Sequence, residues 1–137
     1  MTLKQKKVFD SLSDLPLAKY YKIKPATDFQ IEVFSARASQ KGLENKLIEE
    51  LIEFYKIVNA YEYDSIFGFH SCDDIILFEK WNDGELWLSQ KHMDTIRWKD
   101  GKFCLGDAGS VSYLKEFEFD SLLDLIEASV KEIKSHS

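Results

Sequence analysis

Residues that staple or interrupt a chain are scarce here: two cysteines, two prolines and six glycines in 137 positions. Cys72 and Cys104 lie far apart and form no CxxC pair, which reads as two reduced thiols rather than a disulfide framework and leaves a single bridge open. Long apolar runs are lacking too. The longest stretch without Asp, Glu, Lys or Arg is Ser65 to Cys72, whereas a membrane-crossing helix needs about twenty apolar residues. Lysines in Met1 to Asp10 are followed by no apolar core or small-residue cleavage site, so no secretory signal is expected and the cytoplasm is the expected compartment. There is no internal repeat, linker or low-complexity tract, so one domain over 1–137 is expected.

Catalytic signatures are missing as well. Neither GxSxG nor HExxH occurs. Gly106-Asp107-Ala108-Gly109-Ser110 lacks the Lys-Ser/Thr pair of a phosphate loop and reads as a turn. His70-Ser71-Cys72-Asp73-Asp74 is the densest set of potential ligands, but a zinc site needs a second short-spaced pair. The remaining candidates, His92, Cys104 and His136, are scattered. The expectation is no metal, no cofactor and no catalytic residue.

What is present is apolar bulk and acid. Hydrophobic residues make up 45% of the chain and aromatics 14%, enough to bury roughly two-thirds of the unfolded surface without staples. The net charge of −6 is unevenly spread. Residues 1–26 hold six lysines against Asp10 and Asp14, a net of +4, and the rest of the chain carries −10. A body of this sign repels phosphates, which argues against nucleic acid and towards a basic protein partner.

The patterning changes along the chain. A short helix is predicted from Leu3 to Ser11. A second follows a cap at Thr27 or Asp28 and buries Phe29, Val33, Phe34 and Ala38 until Gly42. From Leu43 to about Ala60, residues Leu43, Leu47, Ile48, Leu51, Phe54, Tyr55 and Val58 form one apolar face, with Glu44, Glu49, Glu50 and Glu53 off it. After Asp64 the period becomes strand-like. Two hairpins are predicted, one at Asn82-Asp83-Gly84 between strands 75–81 and 85–89, the other at Asp100-Gly101 between 95–98 and 102–105. A last strand at Val111 to Leu114 precedes a helix from Asp120 to Lys134 that is predicted to bury Leu122, Leu123, Ile126, Val130 and Ile133. The class is therefore α+β: N-terminal helices, an antiparallel meander of about five to six strands, and a C-terminal helix packed on the sheet.

This order of signals resembles the SUKH superfamily, which takes in a yeast cell-wall-synthesis regulator and bacterial immunity proteins that neutralise toxins. The likeness rests on the helix ending Phe54-Tyr55-Lys56-Ile57-Val58-Asn59-Ala60. It continues in Gly101-Lys102-Phe103-Cys104-Leu105-Gly106, through Val111, and in the closing helix introduced by Phe119. It spans about Leu43 to Ile133 and departs from the family at Ala60, often Gly there, and in lacking a Leu-Pro pair before the main helix. The resemblance implies a non-catalytic binding domain. A basic toxin or other basic protein would then meet Asp73, Asp74, Glu79, Asp83 and Glu85, with Trp81 and Trp87 as anchors. Two other classes stay open: a small enzyme or metal-binding protein using His70, Cys72 and Asp73, and a homodimeric scaffold.

Overall fold

The computed structural model describes residues 1–89, 94–107 and 117–135. It has the α+β class read from the patterning, with α-helices α1 (Leu3–Ser13), α2 (Asp28–Gln40), α3 (Asn45–Tyr55) and α4 (Leu122–Ser135). Strands β1 (Glu62–Tyr63) and β2 (Phe67–Gly68) form a small ribbon, and β3 (Glu85–Ser89), β4 (Asp94–Lys99), β5 (Lys102–Asp107) and β6 (Phe117–Phe119) an antiparallel sheet in sequential order.

The helix starts are chemically defined. Thr2 and Thr27 each accept the N–H three residues on, while Gln5 and Gln30 reach back to the cap N–H, giving two capping boxes. Ser121 caps α4 by accepting the Asp124 N–H at 3.1 Å. Glu50, on the acidic side of α3, also accepts the Leu122 N–H at 2.9 Å, which places a carboxylate at the positive end of α4.

One side of the sheet carries Leu86, Leu88, Ile96 and Phe103, all essentially inaccessible. The terminal helices meet beside it, α1 packing on α4 and α4 on β5 and β6. Helices α2 and α3 pack together, and the Phe34 ring bridges Tyr55 and Phe78 at centroid distances of 5.3 and 6.2 Å. The inward stripe of α4 is Leu122, Leu125, Ile126 and Val130, whereas Leu123 and Ile133 sit at its margin. Leu125 was absent from the sequence-derived stripe, yet it is fully buried.

Two expectations are overturned. Residues 75–81 do not form a strand: Ile75–Phe78 and Trp81–Asp83 are 3₁₀ turns. The Asp74 carboxylate accepts the Ile76 N–H at 3.0 Å and bends the chain there. Gly84 does adopt the left-handed φ of 79° that its sequence suggested, but it uses that freedom to end the 3₁₀ turn. No hairpin precedes β3. At Asp100-Gly101, φ values of 50° and 82° join β4 to β5. The expected strand at 111–114 lies outside the described residues.

Candidate functional site

The residues nominated from sequence lie along the segment from 70 to 87, but they do not form one acidic face. Asp73 is held by its neighbours. It accepts from Ser71 Oγ and lies 3.4 Å from the donating Gln30 Nε2, while its carbonyl accepts from Arg37 at 2.5 Å. Asp74 caps the 3₁₀ turn. Asn59 completes this knot. Its amide donates to Ser71 Oγ at 3.0 Å and Gln30 Oε1 at 3.3 Å, and its carbonyl oxygen accepts the Cys72 N–H at 2.8 Å. The polar cluster thus ties α2, the end of the α3 loop and the 70–74 segment together.

Glu85 is a clear correction to the sequence-derived set. It is 9% exposed and pairs with Arg97, also 9% exposed, in a diagonal contact between β3 and β4. The alternation from Trp87, which is opposite Arg97, places Glu85 on this buried side of the sheet, with Thr95 and Cys104 also enclosed. Trp87 is half-buried, with the Arg97 guanidinium 6.0 Å from its ring centre. Trp81 is half-buried too. Its indole N–H donates to the Lys41 carbonyl at 2.8 Å, and its ring stacks on Trp98 at 6.3 Å. Only Glu79 and Asp83 of the nominated set are fully on the surface.

Two apolar side chains join them there. Phe29 is 70% exposed and Ile75 is 65% exposed. Contacts of Gln30, Phe34, Arg37 and Lys41 with the 71–81 segment fix which side of α2 faces it. Helical spacing then puts Phe29 and Val33 on the flank bordering this seam. The helical spacing of Phe29 to Val33 suggests a core position, but the inward position of that first turn is taken by Gln30. Ile75 was hidden by the strand reading. Exposed Glu79 and Asp83 give the seam an acidic edge on the side of the 73–83 segment.

The nucleophile candidates are enclosed. Cys72 is fully buried, and burial, reinforced by Asp73, pushes its thiol up to about 11, which suppresses the reactive thiolate at neutral pH. Cys104 is buried in β5 and His70 in the loop before Cys72. His92 and His136 lie outside the described residues. Among the described residues, no three of His, Cys, Asp and Glu converge as a metal would require. No helix among them is long and apolar enough to cross a membrane.

Compared with family models, with curated proteins and with solved structures, the chain finds no match.

Proposed function

We propose that this chain is a non-catalytic, SUKH-like binding domain that captures a basic protein, a toxin being the favoured class. The seam between α2 and the 73–83 segment is its docking face. The observation that carries this reading is that two largely exposed apolar side chains, Phe29 on the α2 flank and Ile75 on the facing segment, border the seam together with exposed Glu79 and Asp83. An apolar centre within a charged rim is the anatomy of a protein interface, and an acidic rim steers a basic partner. Asp73, Asp74 and Trp81 serve this face by fixing its backbone. The buried Glu85–Arg97 pair and Trp87 support the sheet behind it.

The test is affinity capture by the tagged full chain from its native cells at low and high salt, beside two variants. Wild type should retain one stoichiometric basic protein, less of it at high salt. Phe29→Ser with Ile75→Ser should lose it, whereas Glu49→Lys on α3 should keep it. A partner held equally by wild type and both variants would overturn the assignment of the face. Capture of an acidic partner would overturn the charge argument.

A further inference from the structure

A cleft of about 480 Å³ opens between the β1–β2 ribbon, the chain at Pro16–Leu17, β5 and α4. It belongs to different elements from the docking face proposed above and has the size of a small-molecule site, typically about 300–1,000 Å³. Its walls are mainly apolar, with Leu17, Ile66, Leu105 and Ile133 contributed by four separated parts of the chain. Two carboxylates, Asp64 and Glu132, belong to the lining, and no Lys, Arg or His is among its described residues.

Two further observations make it more than an apolar dent. Ser129, on the α4 wall, is only 5% exposed, and its hydroxyl has no hydrogen-bond partner. Buried hydroxyls are ordinarily satisfied, so an orphan beside a cleft marks a place where a ligand group can complete the bonding. The rim acid is also positioned in advance. The Tyr63 ring lies 4.9 Å from that of Tyr21, whose hydroxyl donates to Asp64 Oδ1 at 3.3 Å, and the Tyr63 hydroxyl accepts the Leu17 N–H at 3.2 Å. The ribbon and the Leu17 segment are thereby held as one wall.

We propose that this cleft binds a small molecule with an apolar or aromatic body and a cationic amine at one end. The body fills the space between Ile66, Leu105 and Ile133, and the amine lies against Asp64.

The experiment titrates the ¹⁵N-labelled full chain with three probes of one shape: tryptamine, 3-ethylindole and indole-3-propionate. Tryptamine should give saturable amide shifts at Ile66, Phe67, Leu105 and Ser129 with a Kd below about 1 mM, about tenfold or more tighter than the propionate. Asp64→Asn, a change at an exposed position, should remove the preference for the amine and leave 3-ethylindole binding intact. Ser129→Leu, which fills the wall, should block all three probes. The proposal is overturned by shifts that do not saturate or that map elsewhere, or by equal binding of amine and acid to the wild type. If Ser129→Leu does not fold, the Asp64→Asn comparison decides alone.

Discussion

Asn59 and Cys72 are joined by a buried hydrogen bond from the Cys72 backbone N–H to the Asn59 side-chain oxygen Oδ1 at 2.8 Å. The Asn59 backbone N–H in turn donates to the Lys24 carbonyl at 2.7 Å, so one residue fastens three parts of the chain. Asn59→Ala leaves a buried N–H and the Ser71–Gln30 acceptors without their donor. A loss of about 2–4 kcal/mol is expected, given about 1–3 kcal/mol for each stranded buried group, and urea denaturation measures it. A change below about 0.5 kcal/mol would show that water satisfies these groups just as well.

The neighbouring Ala60 adopts a φ of 50°, where a Cβ crowds the backbone. Ser65, in the β1–β2 turn, does the same at 55°. Ala60→Gly and Ser65→Gly should each stabilise the fold by up to about 1 kcal/mol, the relief of the left-handed penalty less the greater unfolded-state freedom of glycine. In thermal melts each should raise the midpoint by a few degrees. A fall at either position would contradict the backbone assigned there.

The Glu85–Arg97 pair invites a double-mutant cycle. Removing Arg97 strands the buried Glu85 carboxylate, so Arg97→Met alone should cost about 3–5 kcal/mol, whereas Glu85→Leu removes one contact of the guanidinium and should cost less. The double variant should be less damaged than the sum of the two, because the Glu85 carboxylate is no longer left uncompensated. Strict additivity in chemical denaturation would mean that the two side chains act independently.

Alkaline pH should destabilise the protein. The Cys72 thiol rises from 9.0 unfolded to about 11 folded, chiefly through burial, so the unfolded chain loses its proton first. The native state keeps its full advantage below pH 9 and loses it as the pH climbs towards 11, by about 2–3 kcal/mol from this group. Burial raises the Tyr55 and Tyr61 phenols in the same direction, which steepens the decline above pH 10. Urea midpoints measured from pH 8 to 11 on wild type and Cys72→Ala check this; the variant should show the shallower slope. Equal slopes would place the titrating groups elsewhere.

Periodicity revealed the apolar face of α3 and most of the inward stripe of α4, because amphipathic helices repeat one physical requirement many times, but it ran α3 on to about Ala60 where the helix ends at Tyr55. It failed at Phe29 and at 75–81, where a single polar side chain decides the geometry. Gln30 turns inward to meet Ser71 and Asp73, and Asp74 captures the Ile76 N–H. Neither event leaves a repeating pattern to read. Acidity along 73–85 was legible as composition, but the loss of Glu85 to a buried Arg97 was not. The two residues are twelve positions apart, and their pairing depends on sheet register. Nothing in the order of residues shows that Leu17, Leu105 and Ile133 share a cleft.

The packing of α1 against α4, reinforced by a contact between Lys134 and Asp14, brings segments more than a hundred residues apart side by side. Val8 and Leu12 are buried, and part of what encloses their helix is α4. Helix α1 is therefore made more than a hundred residues before one of the helices that covers it. A nascent chain that has not yet released α4 carries an open apolar stripe beside its lysines, and this is the interval in which a chaperone would find it.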